Sequence, residues 1–245
     1  MLKTIISAVA LLASSVVLAA GPSIPLDKAP VDLRDKASLQ RGLAMYQNYC
    51  LGCHQMEYQR YARSFRDLDI PEELGMQHLM FTGERVGDFI TNNMKPADAS
   101  NWFGTVAPDL TNVSRVRTAD WIYTYLRTFY RDDSRPFGVN NDVFPMVGMP
   151  HVLQELQGVP YKAYETRLVD GQPKEVYVGI RTDGSGEMSN EEYDRAVGDL
   201  VNYLVYVGEP TKLQSQQLGY KVLIFLAIFF VLALLLKKEY WKDVH

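Results

Sequence analysis

The chain has 245 residues, 47% of them hydrophobic and 22% charged, with 25 Lys and Arg against 29 Asp and Glu for a formal net charge of -4. That apolar content argues against a disordered chain, and the acidic balance argues against a nucleic-acid binder, which needs a surplus of basic side chains. Two cysteines cannot build a disulfide framework in a chain of this size.

Taken in chain order, the first feature is an apolar stretch over residues 5–18, preceded by Lys3 and followed by Ala19, Ala20 and Gly21. A charged start, a short apolar region and a small-residue end predict a signal peptide over 1–20. The mature chain then begins at Gly21, and Pro22, Pro25 and Pro30 after it disfavour a continuing helix. Ser38 is predicted to cap a helix in which Leu39, Leu43, Tyr46 and Cys50 recur at helical spacing. Gly42 shares a face with Tyr46, four residues on.

That helix runs into Cys50, Leu51, Gly52, Cys53 and His54. The C-x-x-C-H spacing is that of covalent c-type haem attachment, in which two thiols on one turn bond the haem and the adjacent imidazole reaches its iron. A thiol oxidoreductase would place its pair after a strand of a βαβ unit, and a zinc site would need further Cys or His ligands nearby. Neither context is present, so one covalently attached haem c is expected, with His54 as an axial ligand.

Beyond the motif, Val86, Phe89 and Ile90 suggest a short helix, and Thr118 is predicted to cap another bearing Trp121, Ile122, Tyr125 and Phe129. Residues 131–147 are rich in Asp, Asn, Pro and Gly and read as a long loop leading to Met149. Of the mature methionines, Met149 stands out for the sixth iron position, because Gly148 and Pro150 hold a rigid, non-helical stretch around it. Met146, after Pro145, ranks second, and His151 is a further competitor that would give a lower potential. Residues 161–180 read as a β-hairpin insertion, with Asp170 and Gly171 between β-rich arms.

Ser189 and Glu192 spell a capping box for a helix carrying Tyr193, Ala196, Val197, Leu200, Leu204 and Val207 on one stripe, stopped by Gly208 and Pro210. A linker over 211–217 leads to an apolar run over 222–236, which with residues 218–221 spans about 28 Å as a helix and predicts a transmembrane helix over 218–237. Lys237, Lys238 and Lys242 follow, with Tyr240 and Trp241 as interfacial aromatics. The positive-inside rule puts the 238–245 tail in the cytoplasm and the 21–210 domain across the membrane on a single-pass anchor, which in a bacterial cell means the periplasm and the inner membrane. Both ends are net positive, so that exported domain is more acidic than the chain as a whole. No phosphate loop, nucleophile elbow or paired-carboxylate site appears.

These features together resemble the cytochrome c1 family, the haem subunit of the cytochrome bc1 complex, in a bacterial form. The likeness is carried by the segment from Arg41 to Glu57, by Ala107, Pro108, Asp109 and Leu110 leading to Arg115 and Arg117, by the Gly148, Met149, Pro150 turn, and by a last helix running through Glu209 and Pro210 into one anchor. The resemblance implies a mainly α fold: a cytochrome c-type haem domain with a small β-hairpin insertion and one C-terminal transmembrane helix. It implies Met149 as iron ligand, Pro108 as haem packing and Arg117 as a propionate contact. His151 stands where mitochondrial members of the family carry a second proline, which keeps Met146 in consideration.

The implied function is single-electron transfer from a Rieske iron-sulfur protein, reduced by quinol at cytochrome b, to a periplasmic cytochrome c, within a dimeric multisubunit quinol–cytochrome c reductase. No bond chemistry by side chains of this chain is involved. The alternatives are an independent membrane-tethered cytochrome c serving a terminal oxidase or nitric-oxide reductase, and a haem-free anchored module with Cys50 and Cys53 as a local disulfide.

Overall fold

The computed structural model describes residues 24–169 and 171–242. The signal peptide expected over 1–20 lies outside them, as does Asp170. In chain order the elements are α1 (Lys36–Tyr49), β1 (Met56–Arg60), α2 (Tyr61–Asp67), α3 (Glu72–His78), β2 (Phe89–Ile90), α4 (Pro96–Phe103), α5 (Val113–Val116), α6 (Ala119–Arg127), β3 (Phe129–Arg131), β4 (Val139–Asn141), α7 (Gln154–Gln157), β5 (Pro160–Val169), β6 (Gln172–Thr182), α8 (Asn190–Gly208) and α9 (Lys212–Tyr240). The described part is mainly helical, with three two-stranded antiparallel pairs, β1 with β2, β3 with β4 and β5 with β6.

The frame is a crossing of α1 and α8, with α6 against α8. Leu39, Leu43 and Tyr46 from α1 and Tyr193, Val197, Leu200, Leu204 and Val207 from α8 are all buried in one core, the stripes expected from their spacing. The crossing is tight because Gly42 offers no side chain: a Cβ there would lie 2.1 Å from the Asp199 carbonyl oxygen. Beside it, Arg41 clasps the Asp199 carboxylate through Nε at 2.6 Å and Nη2 at 3.0 Å. Tyr46 and Tyr203 face each other across the crossing with ring centroids 6.2 Å apart.

The capping box of α8 is present: the Glu192 N–H donates to Ser189 Oγ at 3.3 Å and the Ser189 N–H donates to Glu192 Oε2 at 2.9 Å. Thr118 caps α6 by accepting from the Trp121 N–H at 3.2 Å. The cap of α1 is not Ser38. Asp35 takes that role, accepting from the Ser38 N–H at 3.0 Å, while the buried Ser38 hydroxyl accepts from Asn202 on α8 at 3.0 Å. A carboxylate three residues earlier satisfies the same open helix end and also complements its dipole.

Two further expectations differ from the structure. Val86, Phe89 and Ile90 do not form a helix; Phe89–Ile90 is β2, because Asp88 accepts the Glu84 and Arg85 amides and turns the chain onto β1. The stretch expected as a loop over 131–147 opens with the β3–β4 hairpin, closed by residues 132–138, where Asp132 caps Ser134 and Gly138 sits at a left-handed φ of 68°. The insertion is a long hairpin of β5 and β6, shifted in register between Ala163 and Tyr164.

The linker expected over 211–217 is helical from Lys212, since nothing in that polar stretch breaks a helix. α9 therefore runs 29 residues, has a window of mean hydropathy 2.6, and buries none of that window against the other described residues. It is long and apolar enough to cross a membrane.

Candidate functional site

The C-x-x-C-H turn grows out of the end of α1. The amides of Cys50 and Leu51 both donate to the Tyr46 carbonyl, at 2.9 and 3.0 Å, and those of Cys53 and His54 both donate to the Cys50 carbonyl, at 3.1 and 2.8 Å. Tyr46 closes the turn by donating its phenol to the His54 carbonyl at 2.7 Å. Two thiols and an imidazole thus leave one tight turn, with both cysteines free, Cys50 buried and Cys53 half-buried.

The next stretch is fastened to residues 108–111. The Glu57 N–H donates to Asp109 Oδ2 at 2.7 Å, the Leu110 N–H to the Gln55 carbonyl at 2.9 Å, and His54 Nδ1 donates to the Pro108 carbonyl at 2.8 Å. A carbonyl only accepts, so Nδ1 carries the proton and Nε2 keeps its lone pair. Burial lowers the His54 pKa, opposed by that carbonyl and by the nearby Asp109, which favours the neutral ring that binds a metal. Burial pushes the Cys50 thiol up to about 12.

His54 faces a cleft. One part, of about 410 Å³, is lined by His54, Val113, Arg117, Trp121, Tyr125, Phe144, Val147 and Met149 among others. A smaller part, of about 70 Å³, adds Cys53, Ala107 and Pro150, and the two share Cys50, His54, Thr105, Pro108, Gly148 and Met149. Both thiols, His54 and Met149 therefore line one continuous, mostly apolar space. Gly148 explains how Met149 reaches it: a Cβ there would sit 2.8 Å from the Phe103 carbonyl oxygen, so only glycine lets the chain pass.

The competing side chains lie elsewhere. Met146 is 66% exposed at a φ of 64°, with its sulfur accepting from Arg135 Nη1 at 3.5 Å, and it lines neither part of the cleft. His151 is buried outside the cleft, bonded through Nε2 to Gln157 at 2.6 Å and stacked on Phe129 at 4.8 Å; burial lowers its pKa to about 4. Of the two arginines, Arg115 pairs with Glu209 at 3.6 Å, whereas Arg117 lines the cleft and lies over the Trp121 ring at 4.8 Å.

Two contacts escaped the sequence reading. The Pro108 carbonyl orients His54, and Tyr125 donates its hydroxyl to Met149 Sδ at 3.4 Å. The first is a backbone contact that no side-chain pattern announces; the second needs the 24-residue separation to be closed by the fold. A larger cleft of about 930 Å³ under the β5–β6 hairpin contains no thiol or imidazole, and its Arg127 is engaged by Asp194 and Asp27.

Residues 77–244 match the Cytochrome C1 family. The chain is 49% identical to cytochrome c1 of Allochromatium vinosum over 246 residues, covering all of both chains. The chain belongs to the cytochrome c1 family. It is also 45% identical to a Nitrosomonas europaea protein named ammonia monooxygenase gamma subunit, over all of this chain and 99% of that one. A third relative is the cytochrome b/c1 of Bradyrhizobium diazoefficiens, 24% identical over 86% of this chain and 34% of that one.

Membership in the cytochrome c1 family makes this an electron-transport cytochrome of the respiratory chain with covalently bound haem c. The cleft fits such a group. Its volume is that of a prosthetic-group site, its walls are apolar and aromatic, and its donor set is two thiols on one turn, an imidazole with a free Nε2 and a thioether.

Proposed function

We propose that this chain is the membrane-anchored cytochrome subunit of a quinol–cytochrome c reductase, receiving single electrons from a Rieske iron-sulfur protein and giving them to a periplasmic cytochrome c. The observation that carries the reading is the convergence of Cys50, Cys53, His54 and Met149 on one apolar cleft. In it Cys50 and Cys53 would attach a single haem c, His54 and Met149 would ligate its iron, Pro108 would pack on the haem and Arg117 would meet a propionate. The haem supplies the one-electron iron couple, and a thioether ligand raises its potential.

The protein's own residues do the rest. The Pro108 carbonyl fixes the His54 tautomer, Gly148 brings Met149 into the cleft, and Trp121, Tyr125 and Phe144 keep water from its wall. The haem domain lies in the periplasm and the Lys-rich tail in the cytoplasm, with α9 between them. Cytochrome b is the expected membrane partner in a dimeric complex. Support comes from the relative whose name joins b and c1 in one chain three times the length this one covers. The 45% likeness to a protein named as a monooxygenase subunit favours, as a second reading, membership of a different membrane assembly.

Purification in mild detergent through a tag after His245 separates them. Recovery of cytochrome b and an iron-sulfur subunit is expected, and a lone haem protein or an oxygenase assembly would overturn the reading. A pyridine haemochrome spectrum should show one c-type haem per chain. Met149→Leu should abolish the thioether–iron absorption band while Met146→Leu leaves it intact.

A further inference from the structure

Tyr125 sits on the last turn of α6 with its ring clamped on two sides. Trp121 stacks on it at 4.9 Å and 10°, and Phe129 meets it edge-on at 5.1 Å. Its backbone is held as well, the carbonyl accepting from Asn141 Nδ2 at 2.8 Å. The ring has little freedom to turn, and its hydroxyl is delivered to Met149 Sδ at 3.4 Å inside the cleft.

A thioether sulfur has two lone pairs. One can bind a metal while the other accepts a hydrogen bond. We propose that Tyr125 is a positioning residue that sets the electron affinity of the site, by donating a hydrogen bond to the sulfur of Met149. The proposal rests on the reading of Met149 as the iron ligand. An O–H donor draws electron density from the sulfur, which weakens its donation to an electron-poor oxidised iron more than to a reduced one. The proton end of the hydroxyl dipole, held beside the sulfur in a low-dielectric cleft, acts in the same direction. Both effects favour the reduced state.

The test is a spectroelectrochemical titration of the full-length, haem-loaded protein, wild type against Tyr125→Phe. A hydrogen bond of ordinary net strength predicts that, at fixed applied potential, the ratio of oxidised to reduced protein rises about three- to tenfold in the variant, with the thioether–iron band retained. A retained band with an unchanged ratio overturns the proposal. So does loss of the band, which would mean that Tyr125 holds the ligand in place instead of tuning it. Replacing Tyr125 by 3-fluorotyrosine, a stronger donor of nearly the same shape, should move the ratio the opposite way; no shift, or a shift in the same direction as phenylalanine, also overturns it. Met149→Leu tells the two failures apart. If that variant keeps the band, the ligand reading has failed and the proposal with it; if it loses the band and Tyr125→Phe changes nothing, only the role of Tyr125 has failed.

Discussion

Replacing Gly42 by alanine probes the contact on which the whole frame depends. The added Cβ would lie 2.1 Å from the Asp199 carbonyl oxygen, 2.7 Å from Tyr203 Cβ and 2.8 Å from the Asp199 carbonyl carbon. Carbon and oxygen need about 3.3 Å, so the helices must separate by roughly 1 Å, and the obstacle is backbone, which cannot rotate away. A gap of that size forfeits a quarter to a half of each dispersion contact across the α1–α8 interface, Tyr46 against Tyr203 included. Overpacking of this kind costs about 3 kcal/mol at the upper end, offset by about 1 kcal/mol from the better helix propensity of alanine. The net loss of about 2 kcal/mol corresponds to a fall of about 4–8 °C in thermal midpoint for a protein of this size. The assay is thermal unfolding of the haem-loaded protein in detergent, followed by far-ultraviolet circular dichroism. Gly87→Ala is the control, since a Cβ there meets nothing within 4 Å. If Gly42→Ala melts with the control, the interface is loose and the reasoning is refuted.

Two other expectations follow from the anchoring of α6. Arg127 holds Asp194 through Nε at 2.6 Å and Nη2 at 2.8 Å, reaches Asp27 through Nη1 at 2.5 Å and lies 4.6 Å over the Tyr123 ring. Lysine cannot reproduce the fork, so Arg127→Lys should cost about 1–2 kcal/mol in urea unfolding after discounting for partial exposure, and a loss indistinguishable from zero would show the pairs to be solvent-screened. Asp120 accepts from the Ala29 N–H at 2.9 Å and from Lys28 at 3.0 Å, and these bonds, the backbone one foremost, hold its pKa below the usual carboxylate value. Its contribution is therefore complete above the unfolded value near 4 and disappears as pH falls through the lower folded one. Wild type should be more stable than Asp120→Asn at pH 7, and the gap should close on acidification; a constant gap would assign the effect to packing.

What could be read from the sequence divides along the distance over which each feature is encoded. The α1 and α8 stripes, the capping box at Ser189 and the C-x-x-C-H turn are local, and each lies where its spacing put it. The β-hairpin insertion also follows from a local turn between β-rich arms. The misreadings are cases in which local signals tie. Asp35 and Ser38 both offer a cap, and only the fold decides between them, by engaging the Ser38 hydroxyl with Asn202 from the other end of the chain. Val86, Phe89 and Ile90 satisfy helical spacing, but two amides accepted by Asp88 turn the chain before a helix can form. A run of three apolar residues holds no information about that competition.

The candidate site follows the same logic one level up. Its candidate thiols and imidazole are a local signal, because the chemistry demands them adjacent, but the contacts that orient the site's side chains are not, because the Tyr125 hydroxyl and the Pro108 carbonyl are brought in by α6 and by the segment before α5. Choosing between Met149 and Met146 illustrates the point. Both sit beside a proline in a non-helical stretch, so residue type and neighbours do not separate them. What separates them in space is the close passage of Gly148 beneath the Phe103 carbonyl, which turns Met149 into the cleft while Arg135 holds Met146 at the surface by its sulfur and its carbonyl. The glycine is therefore a geometric requirement set by α4, and it predicts its own perturbation. Gly148→Ala puts a Cβ 2.8 Å from that carbonyl and 3.0 Å from Thr105 Cγ2, so the chain must lift away and take Met149 with it. The variant should weaken the thioether–iron band without touching Cys50, Cys53 or His54. A band of full strength would mean that the Met149 backbone tolerates the shift, and that the cleft is held by something other than this crossing.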